Sequence, residues 1–403
     1  MMKRSRILAP ATLMLVLTCA LAPGANAQVT SIAQLLSRAA QPWLPTYNPK
    51  TSWDFTHSRP AVQQVCRRSE SLPIPRADLP TAAQLPQLAR CNSEALYYGF
   101  DGKPNDVQAR DCAYLERALG DRMPLSGSAV LSMIYANGLG VRRNVPLAIK
   151  FACEAGGAPA EINGRIQHLQ RLAAWQRPPW PHFDFCDDVT SGFMTGVCAA
   201  AAEGILEHRR KITIERIASR YSPTQKAAFL ALQYIAQTYF NVQSQEEVDF
   251  SGSAGRAFVI DDLVWHEHMF TRDIEALNAR RVPVAPVGAQ QRADARLEAL
   301  YQRVLANPAL RPAPPNPLVP GVPMTWLGTI SREALRVDQA LWLSYRDAWV
   351  HFAAVVQPGL TRSRVSTWIT RQRIDGLRCQ LPYPAARPAS CNIPWLSPTH
   401  LPY

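Results

Sequence analysis

The chain has 403 residues, 47% apolar and 18% charged, with 43 basic against 31 acidic side chains and a formal net charge of +12. That length and apolar content exclude a chain disordered throughout and suffice for two or three packed units of ordinary size. Thirty-four prolines spread along it exclude one uninterrupted helix, a coiled coil and a collagen-like repeat.

The first 27 residues read as a secretory signal peptide. Lys3, Arg4 and Arg6 form a positive start, Ile7 to Leu21 an apolar run broken by Pro10, and Ala25-Asn26-Ala27 the small residues of a cleavage site. The rival reading of Cys19 as a lipid anchor is disfavoured by Thr18 before it. The expected mature chain starts at Gln28, is periplasmic or secreted, and has no stretch approaching the ~18 consecutive apolar residues of a membrane span.

Charge is distributed unevenly: residues 28–182 carry +6, residues 183–278 carry −6, and residues 279–403 carry +9. Beyond the signal, eight cysteines remain at 66, 91, 112, 153, 186, 198, 379 and 391. An even number in an oxidising compartment predicts up to four disulfides, and no CxxC pair suggests zinc. Cys186 and Cys198, like Cys379 and Cys391, are twelve positions apart, so local pairing is open to both, although eight cysteines allow roughly a hundred pairings.

An irregular Pro-rich stretch over 28–88 precedes an internal repeat. Asn105, Ala109 and Ala113 return as Asn144, Ala148 and Ala152, an offset of 39 that also relates Gly99 to Gly138. A period near 40, with small residues on paired helices, marks a stack of helix hairpins. The second unit, "AVLSMIYANGLGVRRNVPLAIKFACEAG", resembles the Sel-one-like repeat, a tetratricopeptide-like module, and the resemblance extends over about 89–174. It implies a helical scaffold for contacting proteins and no catalysis. Two units are too few to bury a continuous core alone, so cysteines or a neighbouring domain must help. Cys112 and Cys153, near equivalent places on the two second helices, are candidates for a covalent clip between hairpins.

After the Pro-rich break at 177–181 the pattern is again helical. Phe229, Leu232, Ala236, Tyr239 and Phe240 form one apolar stripe, Val264, Phe270, Ile274 and Leu277 another, and Leu335, Trp342, Tyr345, Trp349 and Phe352 a third. "VDQALWLSYRDAW", residues 337–349, resembles the signature of the LprI-like lysozyme inhibitor family, with Trp342, Tyr345, Arg346 and Asp347 as its motif residues. "ADARLEALYQRVL" upstream and "TRQRIDGL" downstream match its flanking helices in the right order over 290–380. The acidic module 183–278 is either a diverged sister of that domain or its first half, and 381–403 is a Pro-rich tail.

Enzyme signatures are absent. His266-Glu267-His268 places two imidazoles about 200° apart on a helix, unsuited to sharing a metal, and reads as an exposed or cap-bonded pair. Ser251-Gly252-Ser253-Ala254-Gly255 reads as a turn before a helix beginning near Arg256. Glu246, Glu247 and Asp249 read as solvated acids at a helix end, and with Asp261 and Asp262 they form the candidate partner face, a negative patch for a basic lysozyme. The expected protein is all-α: a short helix-hairpin array followed by one or two small helical LprI-like units, stapled by disulfides. It needs no cofactor or metal. It binds a lysozyme or other cell-wall hydrolase or, in the alternative, serves as a periplasmic adaptor whose basic region contacts an anionic envelope polymer. Nucleic acid is not expected as a partner, because the arginines are scattered and no binding motif occurs.

Overall fold

The computed structural model describes residues 54–378 apart from 122, 176, 309 and 311–329, together with 398 and 401. The expected signal peptide, Cys379, Cys391 and nearly all of the Pro-rich tail lie outside the described residues. Within them the protein is all-α, with helices α1 (Pro60–Glu70), α2 (Leu85–Leu88), α3 (Ser93–Tyr98), α4 (Asp106–Ala118), α5 (Ser128–Asn137), α6 (Val145–Ala155) and α7 (Pro159–Ala174) in the first half. In the second half come α8 (Gly192–Ala218), α9 (Pro223–Glu246), α10 (Gly255–Asn278), α11 (Ala289–Leu305), α12 (Arg332–Val356) and α13 (Arg362–Arg378).

The 39-residue offset is visible in the backbone. Gly99 and Gly138 end α3 and α5 in the left-handed conformation, at φ 73° and 71°, where a Cβ would meet the returning chain. Asn105 and Asn144 then cap α4 and α6 by accepting from the Gln108 and Leu147 amides, and their own amides donate to Leu96 and Tyr135 at 2.9 Å in both units. Ala109, Ala113, Ala148 and Ala152 are fully buried where the helices cross, so the backbones approach closely.

The expected clip between Cys112 and Cys153 is not formed. Cys91 bonds Cys112 and Cys66 bonds Cys153. In the repeat frame Cys112 corresponds to Phe151 and Cys153 to Tyr114, so the two thiols stand two positions, about 200°, apart on equivalent helices and face different neighbours. The Cys66 bridge ties α1 to α6, which supplies one of the surfaces that a two-unit array lacks. Cys186 does pair with Cys198, anchoring the loop before α8 to that helix.

Two apolar cores result. The first joins α1 and α3–α7 to Phe183, Phe185 and the start of α8, through Met194, Cys198 and Ala201. The second begins at Ile217, near the end of α8, and draws on α9–α13. Helices of the acidic module and of the 290–380 region therefore share one core, in which Tyr239 stacks on Tyr345 and Phe229 meets Phe352. The 27-residue α8 serves both. Its small residues permit close packing: a Cβ on Gly204 would come within 2.7 Å of the Phe100 ring, and Gly192 and Gly196 lie against the start of α10.

The junction between the array and the rest is polar and buried. Tyr98 donates to the fully buried Asp184 at 2.9 Å, and burial pushes that carboxyl up to about 6. The buried Glu161 on α7 accepts from the Thr190 and Ser191 amides at the entrance to α8, while Arg165 lies 3.4 Å from the centre of the Phe185 ring.

Candidate functional site

The motif residues of α12 face inward. Trp342 and Tyr345 are 1% and 5% exposed, and Trp349, one turn beyond Tyr345, is fully buried among Phe270, Phe352 and Trp368. Arg346 reaches Asp294 on α11 at 3.1 Å, with Thr370 of α13 beside both, and its guanidinium lies over Trp342. Asp347 is exposed and pairs with the exposed Arg362. Trp342, Tyr345 and Arg346 thus set the packing of three helices.

The expected acidic partner face is mostly interior. Asp249 alone of the five is exposed, and it folds a turn by accepting from the Ser251 amide and hydroxyl. Glu246 and Asp262 are half-buried, while Glu247 and Asp261 are 2% and 6% exposed. The reason is tertiary. The chain leaving α9 turns Glu247 beneath α13, where Arg373 forks both carboxylate oxygens at 2.6 and 2.8 Å. The same guanidinium lies 2.9 Å from Asp338 on α12, donates to Gln339 at 3.1 Å and reaches the Tyr239 hydroxyl at 3.3 Å.

Two buried carboxyl groups thus share one cation. The Arg373 charge and its hydrogen bonds outweigh burial at Glu247 and hold that carboxyl below its ordinary value. Burial, then the Glu247 charge, push Asp338 far up, so it keeps its proton beside the Glu247 carboxylate. Asp262 is raised to about 7, chiefly by burial and then by Glu247. The His266 ring stacks on Phe240, and burial followed by Arg373 depresses it to about 3, so it is neutral. His266 is therefore neither exposed nor cap-bonded, because α10 turns it into the second core. His268 faces solvent. A cavity of about 40 Å³ beside the cluster, bordered by Gln243, His266, Trp342 and Arg373, has space for one or two waters. Arg373 lies in the expected closing motif, but its role was not legible there, since its carboxylate partners come from α12 and from the end of α9.

A cleft of about 430 Å³ lies between α8 and α9, with α10 as its floor. Ile214, Ala218, Phe229, Ala236, Phe240 and Phe270 make its apolar surface. Its rim carries Glu207, Glu215 and Glu267 against Arg210, Lys211 and Lys226. Arg210 bridges Glu203 and Glu267 at 2.5 Å each, joining α8 to α10, and burial raises Glu203 to about 7. Leu230, on the α9 side, is 59% exposed. In the sequence these residues stand out only as acidic charge, as helical stripe or, for Glu267, by its place between two histidines; the two-turn spacing of Glu203 and Arg210 is the one further local hint.

Among the described residues no group of His, Cys, Asp and Glu is placed to hold a metal, and no helix is long and apolar enough to cross a membrane. Comparison with known proteins returns no family model, no curated protein and no solved structure that matches the chain.

Proposed function

We propose that this is an exported, non-catalytic binding protein, in which the cleft between α8 and α9 receives an apolar segment of a protein partner. The cleft itself carries this reading: an apolar floor, a charged rim and an exposed leucine at the edge are the ingredients of helix-in-groove recognition. The carboxyl groups of the 239–373 cluster are paired, buried and packed behind aromatic rings, which supports a structural rather than a catalytic use of them.

The LprI-like and Sel-one-like resemblances nominate the partner class to test first, a lysozyme or another cell-wall hydrolase, with the hairpin array as scaffold. An acidic docking face, however, loses its support once Glu247 and Asp261 are interior. The cleft rim has three charges of each sign, so binding there should depend weakly on salt.

The test is lysis of a peptidoglycan suspension by several lysozyme types, with and without the oxidised chain from Gln28, at low and physiological salt. Stoichiometric, salt-tolerant inhibition that falls at least tenfold in Leu230→Glu and is unchanged in Asp249→Asn is the expected result. Inhibition lost in Asp249→Asn would return the site to the acidic turn. No binding to any hydrolase would remove that partner class and leave the adaptor reading.

A further inference from the structure

The second core carries a basic seam on its outer side. Arg292, Arg296 and Arg303 are exposed on α11 at offsets 0, 4 and 11, which at about 100° per residue brings them within about 40° of one another. They extend for about 16 Å along the helix. Glu298, the exposed acid of α11, points about 120° or more away from this line.

α13 continues the seam. It runs parallel to α11: Arg364 near its start donates to the Val282 and Pro283 carbonyls before α11, Thr370 meets Asp294, and Asp375 further on faces Arg296. Arg364, Arg371, Asp375 and Arg378 share one face of α13 by the same spacing, and the Asp375–Arg296 proximity turns that face toward the arginines of α11. Six arginines therefore lie along adjoining faces of two neighbouring helices, with Asp375, bonded to Arg378 at 3.1 Å, as the acid among them. No described carboxylate lies within ion-pair distance of Arg292, Arg303 or Arg371, and none of these three donates to a carboxylate.

We propose that this seam binds a linear phosphate-bearing polyanion. Spacings of about 6 and 10 Å along α11 suit repeated phosphates on an extended chain better than a single small anion. Guanidinium groups favour phosphate because their planar fork donates two hydrogen bonds to one group, and the chain has 37 Arg against 6 Lys. The seam lies on helices other than α8 and α9, so its use is separate from the proposed cleft.

The probe is long-chain inorganic polyphosphate, titrated into the oxidised chain from Gln28 at several salt concentrations. R292Q/R296Q/R303Q is compared with R67Q/R68Q/R220Q, which removes three exposed arginines elsewhere and has the same net charge. The seam variant should bind at least tenfold more weakly at low salt, with the log-affinity against log-salt slope shallower by about 2 to 3, while the control stays within about twofold. Equal weakening of both variants would overturn the proposal in favour of diffuse attraction to a basic protein. Binding confined to anionic lipid vesicles, with none to polyphosphate, would also overturn it. If the triple variant loses its native circular dichroism, R296Q alone should lower the slope by about one, and an unchanged slope refutes the seam.

Discussion

Arg373→Met tests whether the shared cation holds the second core together. Arg373 is 4% exposed and is the only cation in contact with Glu247 and Asp338 among the described residues. Its removal strands a carboxylate in a site already too poor in water for Asp338 to ionise. Breaking a buried pair this way costs about 3–5 kcal/mol. At pH 7.5 the urea midpoint should fall accordingly, followed by tryptophan fluorescence, since Trp342, Trp349 and Trp368 sit in the same core. The loss should shrink at pH 5, because Glu247 without its guanidinium takes up a proton as the pH falls. The triple replacement Arg373→Met, Glu247→Gln, Asp338→Asn should recover most of the stability, since neutral groups of similar volume need no cation. A single variant less than 1 kcal/mol below the parent at pH 7.5, or a triple variant no better than the single, would show that the cluster does not carry the coupling described.

Asp262, Asp273, Glu94 and Glu203 are each raised to about 7, with burial the largest cause. A raised carboxyl pKa means the folded state binds the proton more tightly than the unfolded chain, so that stability is complete below about pH 4 and drains away as the pH climbs to about 7. Glu247, lowered, acts oppositely and loses its contribution only in stronger acid. Urea midpoints should therefore be higher near pH 5.5 than at pH 8. Asp273→Asn, which can still accept from Gln372, should stabilise by about 2–4 kcal/mol at pH 8 and by little at pH 4.5, and an equal loss at both would contradict the burial argument. Loop-closure entropy predicts that losing the Cys66–Cys153 bridge, whose ends are 87 positions apart, costs about 4–5 kcal/mol, against about 3 for Cys186–Cys198, twelve apart. Double serine variants compared by thermal unfolding would measure this difference, and peptide mapping of the oxidised chain checks the pairings themselves.

Local interactions made much of the fold legible from residues alone. Apolar stripes at 229–240 and 335–352 became buried faces of α9 and α12 because helical periodicity acts within a few turns. Gly99 and Gly138, with Asn105 and Asn144, marked the ends and starts of the repeat helices for the same reason: turn conformations and caps are satisfied by neighbours three or four residues away. Cys186–Cys198 lay within this local reach.

What only the tertiary structure decided are the long-range pairings. Glu247 reads locally as a solvated acid after a helix, and its burial depends on Arg373, 126 residues later. Cys153 finds Cys66 across 87 positions because α1 packs on α6, a choice that the repeat frame does not contain. The arginines of α11 and α13 read as scattered charge along the chain and form a seam because two helices separated by α12 lie parallel on one core. In each case the sequence supplies the chemical groups, and the distance between them in space is set by packing, which no local rule measures.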